Sequence, residues 1–177
     1  AGSEGTLGMV VEAEVNLEPL PRQSRVLLAM YRELDGRLRS IEGLVDLRPT
    51  AVELMDENVI RQARQNRLTA EICKIVPGDP AAVLVIEVTG DDPAEVESRA
   101  EEMQRRVMES GVATDCLLCR DPAQAKAVWE MRNAALGLLS NIQGARKPVP
   151  YIEDAAVPLP CLASYIAEVL AVCRRHE

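Results

Sequence analysis

Arg132 is the residue whose position is hardest to explain by packing alone. After Asp121 the residues Ala125, Val128, Trp129, Leu136 and Leu139 recur at helical spacing, and Arg132 falls inside that apolar stripe. A guanidinium drawn toward a core is costly unless it is paired, so Arg132 calls for a carboxylate. Two sources are open. One is the protein itself, through Glu53, Glu87 or Asp154, or a side chain whose stem lies on the core while its head reaches water. The other is a small ligand, because arginine's planar fork suits a carboxylate bidentately.

A second phrase that could do chemistry is Gly2-Ser3-Glu4-Gly5-Thr6-Leu7-Gly8. Its glycines allow positive φ and close backbone approach, and Ser3, Thr6 and the amides between them suit phosphate or flavin oxygens. A simple loop is the alternative reading. Other reactive groups are poorer candidates. Cys116-Leu-Leu-Cys119 has CxxC spacing but no second pair, and on a strand residues three apart face opposite sides. His176 is the one histidine and lies next to the last residue, so no two-histidine metal site is available within the chain. Glu153 and Asp154 are adjacent on an expected strand and would point apart, which disfavours an acid-base pair. Arg61, Arg64 and Arg67 could receive a second carboxylate, although their spacing equally describes a solvated helix face.

The elements that must hold these groups follow from punctuation. Val10–Leu17 alternates loosely as a strand and is ended by Pro19-Leu20-Pro21. Val26, Leu27, Met30, Leu34 and Leu38 predict a helix over residues 22–39. Residues 51–56 read as a strand, 57–65 as a short helix, and 66–80 as loop with a partial strand. Val83–Val88 is a continuous apolar run expected as a buried strand. Asp92-Pro93 and Asp121-Pro122 then supply the same cap and first-turn proline 29 residues apart. Each opens a helix, to about residues 109 and 140, with a strand over 112–119 between them. A strand over 150–157 and a helix over 160–174 complete the order. Strand-helix units in this order predict an α+β fold, a ferredoxin-like antiparallel sheet with helices packed on one face.

Composition limits the partners. In 177 residues 47% are hydrophobic, enough for a sizeable core, yet there is one Trp, three Tyr and no Phe, so base-stacking platforms are scarce. A formal net charge of −8 argues against nucleic acid or an anionic membrane as partner. No apolar run is long enough for a transmembrane segment, and five cysteines without a signal peptide lead us to expect free thiols and a cytoplasmic setting.

The glycine phrase, Trp129-Glu-Met-Arg132, Arg146-Lys147-Pro148, Tyr151-Ile-Glu153-Asp154-Ala-Ala-Val157-Pro158 and Glu53-Leu-Met-Asp56 together resemble FAD-linked oxidases of the vanillyl-alcohol oxidase and p-cresol methylhydroxylase superfamily. The likeness is to the C-terminal substrate domain of members such as D-lactate dehydrogenase, the glycolate oxidase flavin subunit and D-2-hydroxyglutarate dehydrogenase. It implies that residues 1–20 are the closing edge of a truncated FAD-binding domain, with Gly2, Ser3, Glu4, Gly5, Thr6 and Gly8 touching the cofactor. Residues 21–177 would be the substrate-binding cap, itself cut short. By the same resemblance Arg132 binds the carboxylate of a small D-2-hydroxy acid and Lys147 is the second cation, although relatives carry a lysine nearer the position of Ile152. The chemistry implied is hydride transfer from substrate to FAD, with catalytic base and metal ligands outside this chain. Implied partners are the missing FAD-binding domain of the same polypeptide and an iron-sulfur electron-transfer domain or subunit, which would also allow a position peripheral to the membrane. The isolated fragment is expected to be inactive and to hold little FAD. A stand-alone binding module and a superfamily member with different chemistry, such as an ether-lipid synthase, are the alternatives.

Overall fold

Val26–Tyr31 is an unbroken apolar run, and in the computed structural model it lies at the centre of a sheet with every side chain buried. Residues 5–33, 41, 43–140, 144 and 156–176 are described. They belong to two compact units, Pro21–Pro148, and Ala1–Leu20 together with Val149–Glu177.

In the larger unit β1 (Gln23–Tyr31) pairs along its whole length with β3 (Ala82–Gly90) and on its other side with β4 (Ala113–Cys119). The outer strand β2 (Ala51–Asp56) pairs with β3, giving a four-stranded sheet of order β2-β3-β1-β4 in which all neighbours are antiparallel. This is the expected α+β, ferredoxin-like class of fold. The route to it differs at β1, however, because Gln23–Tyr31 is a strand where helical spacing predicted a helix over residues 22–39. A strand buried on both faces loses its polar alternation, and a solid apolar run then carries no diagnostic period. Of the remaining expected helix, Leu34 and Leu38 lie outside the described residues; residues 43–45, beyond its expected end, are helical.

Alternate residues of the sheet feed two cores. On one face Val26, Leu28, Met30, Met55, Val83, Val85 and Cys119 are buried. They pack under α1 (Glu57–Gln65), α2 (Ala70–Cys73), α4 (Pro122–Asn133) and α5 (Ala135–Ser140), chiefly through Val59, Ile60, Ala63, Cys73, Val128, Met131 and Leu138. On the other face α3 (Pro93–Glu109) lies against β1, β3 and β4, and its inner stripe Val96, Ala100, Met103 and Val107 is fully buried. Helices therefore cover both faces rather than the one face expected, because alternate residues of β1 and β3 are apolar on both sides and each side needs a cover.

Helix starts follow local chemistry. Asp56, Asp92 and Asp121 each accept backbone N–H groups of the first turn, from Val59, from Ala94 and Glu95, and from Ala123 respectively. The expected single helix after Asp121 is broken at Ala134 into α4 and α5. Between residues 66 and 80 the expected partial strand is replaced by turns and α2, tied down by buried Thr69, whose hydroxyl donates to the Ala63 carbonyl at 2.7 Å.

In the smaller unit the expected strand over 10–17 is absent. Residues 8–20 are irregular, with exposed side chains throughout. Alternation alone does not make a strand, because the backbone also needs a ladder partner. The strand expected over 150–157 lies mostly outside the described residues, and Ala156 and Val157 are irregular. The last helix, α6 (Leu162–Arg175), is formed as expected but has no buried side chain.

Candidate carboxylate-binding site

The site is built where α4 crosses the sheet. The helix begins just after β4, at one edge, anchored by the Asp121 cap and by Pro122 in its first turn. Val128 and Met131 fix its underside in the core with no exposed area. Arg132, the next residue, falls in the last turn at the margin of that core, and its Nη2 donates to Glu53 Oε2 on β2, the opposite edge strand, at 2.9 Å. The side chains of Arg132 and Glu53 are 41% and 36% exposed, so this is a half-open ion pair facing solvent rather than a sealed one.

The sheet face beneath changes character at this level. Two residues beyond Glu53, Met55 is in the core, whereas Ser24, Glu87 and Thr89 continue the same face toward the other end of β1 and β3. Ser24 Oγ donates to Glu87 Oε1 at 2.8 Å, and the hydroxyls of Thr50 and Thr89 lie 2.7 Å apart. The result is a polar shelf beside Arg132. Arg132 pairs with Glu53, and Glu87 lies on the same sheet face two residues along β3 from Val85, the ladder partner of Glu53, so one cation and two carboxylates leave the described ionic side chains of this face net negative. That balance can turn a substrate carboxylate away unless another cation joins.

Lys147, the expected second cation, lies outside the described residues, as do Asp154, Glu153, Tyr151, Gly2, Ser3 and Glu4. Gly5, Thr6 and Gly8 are exposed. Gly5 adopts φ +76°, and a Cβ added at Gly5 or Gly8 would meet nothing within 4 Å. These described residues form no cradle for a flavin. The three arginines on and after α1 are not gathered at the shelf. Arg64 is taken up by the Val76 carbonyl at 3.1 Å, the Gly78 carbonyl and Asp79, and so closes the turn before β3. Arg61 donates to Asn58, and both Arg61 and Arg67 are exposed. Arg61 and Arg64 line a cleft of about 370 Å³ with Glu57, Ile60, Gln65, Asp79 and Pro80.

Cys116 and Cys119 are both buried, and their side chains serve opposite faces of β4. Burial, with Asp115 and Cys119 adding repulsion, pushes the Cys116 thiol up to about 12, and burial alone pushes Cys119 up to about 11. Cys73 is raised by burial, which outweighs the nearby Arg64. Thiols of this kind stay protonated at neutral pH, the inert state for metal binding or nucleophilic attack. Among the described residues no group of three or more His, Cys, Asp or Glu could hold a metal ion. No helix among them is long and apolar enough to cross a membrane.

Sequence reading did not single out Ser24, Thr50 or Thr89. The available signal was the hydroxyl residue at each strand end, where a buried strand leaves the core.

Residues 20–177 match the family model described as FAD linked oxidases, C-terminal domain. The chain belongs to that family. It is 33% identical over 185 residues to the D-2-hydroxyglutarate dehydrogenase of Escherichia coli (strain K12), covering 99% of this chain and 18% of that protein. The protein of the same name from Pseudomonas putida is 31% identical over 178 residues, covering 97% of this chain and 18% of its own length. Glycolate oxidase subunit GlcD of Bacillus subtilis is 29% identical over 179 residues, covering 99% of this chain and 36% of its own. The chain thus spans less than a fifth of the first two relatives and about a third of the last. In the larger unit the Arg132 shelf is a described place where a half-exposed guanidinium, paired with a carboxylate, lies at the margin of the core.

Proposed function

We propose that this chain is the substrate-binding part of an FAD-dependent oxidoreductase that oxidises a D-2-hydroxy acid such as lactate, glycolate or 2-hydroxyglutarate. Arg132 carries the reading: a half-open guanidinium at the end of α4, held over a polar sheet face by a single recorded ion pair among the described residues. Its task is to bind and orient the substrate carboxylate, with Lys147 as the second cation that offsets Glu53 and Glu87. Positioning of this sort fixes the reacting carbon against its oxidant and removes entropy from the barrier. FAD, supplied when the missing domain of the same polypeptide binds it, is the two-electron acceptor. Gly2 to Gly8 form the edge through which that domain continues into this one. An iron-sulfur domain or subunit, and a place in the cytoplasm or at a membrane surface through it, rest on the family resemblance alone.

The test is spectroscopic. The longer polypeptide containing this chain is purified and mixed anaerobically with D- and L-2-hydroxy acids while flavin absorbance is followed. Bleaching by a D-acid, slowed at least about tenfold in Arg132→Ala at unchanged flavin content, is expected. Equal rates in the two proteins would remove the clamp. The isolated chain should purify colourless, and flavin near stoichiometry would overturn its status as a part. The Glu53 contact is also what a purely structural arginine would make, as in a stand-alone interaction module; absence of flavin and of any reaction with hydroxy acids in the longer polypeptide would favour that second reading.

A further inference from the structure

We propose that Glu53 is a positioning residue for Arg132, an inference that rests on the reading of Arg132 as the substrate clamp. The two side chains come from positions of unequal rigidity. Glu53 is set in the β2–β3 ladder opposite Val85, with Met55 two residues on locked in the core at 1% exposure. Arg132 is in the final turn of α4, one residue before the helix ends at Asn133. Its long side chain has many rotamers, and from a helix end it could sweep a wide arc. The contact at 2.9 Å is made by Nη2, a terminal nitrogen. Among the described residues one of its five N–H donors is engaged, with Glu53, and that geometry is compatible with a bidentate grip on a second carboxylate.

The geometry also separates this role from a simple stability role. At 41% and 36% exposure the pair is well screened, and exposed pairs of this kind contribute little to folding. Its consequence falls on the free protein's readiness to bind. Holding a flexible cation in place before substrate arrives removes an ordering step from association and lowers KM without altering the chemical step. The carboxylate also sets a limit on the clamp, since it competes weakly with the substrate for the same guanidinium.

The experiment uses the full-length flavoprotein and whichever of D-2-hydroxyglutarate, D-lactate or glycolate bleaches its flavin. KM, kcat, flavin content and melting temperature are measured for Glu53→Ala, Glu53→Gln, Arg132→Ala and the double Glu53→Ala/Arg132→Ala. Glu53→Ala is expected to raise KM about tenfold with kcat within about threefold of wild type, and Glu53→Gln, whose amide oxygen still accepts, to stay within about threefold in both. The double variant should be no worse than Arg132→Ala alone, because Glu53 acts only through that arginine. Multiplying effects in the double variant would overturn the proposal, and so would an unchanged KM in Glu53→Ala beside a raised one in Arg132→Ala. In that last case the clamp itself stands. An unchanged KM in Arg132→Ala removes the clamp and the positioning role together. Should Glu53→Ala fail to fold, Glu53→Asp keeps the charge but shortens the reach, and it must raise KM several-fold for the proposal to survive.

Discussion

Gly90, the last residue of β3, gives a sharp test of how the sheet and α3 are fitted together. A Cβ placed on Gly90 would lie 2.9 Å from Cγ2 of Val96, well inside the separation of about 3.5 to 4.0 Å at which carbons attract. Val96 has little freedom to yield. It is β-branched, which fixes χ1 in a helix, it has no exposed area, and it sits in the first turn of α3 behind the Asp92 cap. Overpacking of this kind costs about 1–3 kcal/mol. Replacing glycine also stiffens the unfolded chain, which returns about 0.4–1 kcal/mol. The net expectation for Gly90→Ala is a loss of about 1–2 kcal/mol, or a fall in Tm of roughly 2–8 °C for a chain of this size. Urea denaturation would show a lower midpoint at unchanged m-value. The diagnostic step is Gly90→Ala in a Val96→Ala background, where the new methyl enters vacated space and should be neutral or stabilising. If Gly90→Ala is equally harmful in both backgrounds, or harmless in both to within about 0.3 kcal/mol, the close contact between β3 and α3 is not as described.

Four further outcomes are expected. Thiol titration of the native chain near neutral pH should find Cys161 and Cys173 reacting promptly, with Cys73, Cys116 and Cys119 reacting only on unfolding, because the first two are exposed and the other three buried. The hydrogen bonds from Arg25 and then Arg120 hold the Glu97 carboxyl below its ordinary range. A carboxylate with a lowered folded pKa stabilises above its unfolded value of about 4.3 and loses that contribution as pH falls through the folded one. Glu97→Gln should therefore cost about 1 kcal/mol at pH 7 and nothing in strong acid, measured by denaturant midpoints at both. Removing residues 1–20 should shift Tm by less than about 2 °C, since side chains over 5–20 are exposed and bury little, and a larger loss would show that they are packed. On the function proposed above, Lys147→Ala in the longer polypeptide should raise KM for its hydroxy acid by about tenfold or more, and an unchanged KM would free the lysine from the site.

What was legible in the sequence was the chemistry that acts over a few residues. Asp92 and Asp121 cap their helices through their own first-turn amides, and the period of two placed Cys116 and Cys119 on opposite faces of β4. What was not legible depends on partners far along the chain. Val26–Tyr31 is a strand because β3 lies on one side and β4 on the other, and residues 10–17 are not a strand because no described neighbour pairs with them. In both segments tertiary context overrode the local pattern, in line with the weak intrinsic character of β preference. The break at Ala134 was likewise hidden, since alanine is the best helix former and carries no stop signal.

The site divides along the same line. Arg132 was visible because a charge in an apolar stripe violates a local rule, yet Glu53 was only one of three candidate partners. Choosing it required knowing that α4 starts at the β4 edge and ends over β2, a crossing set by sheet order and helix length together. That crossing has a chemical consequence which no single residue reveals. It places the arginine over a sheet face carrying Glu53 and Glu87, so the guanidinium is held in place by the same charge that weakens its pull on an anion. A carboxylate can compete there only if it gains a better geometry than Glu53 has. A bidentate fork supplies part of that advantage, and a second cation supplies the rest. Arg61 and Arg67 are exposed and Arg64 is spent on the turn before β3, so none of the three is gathered there, and Lys147 is the cation we propose for that charge.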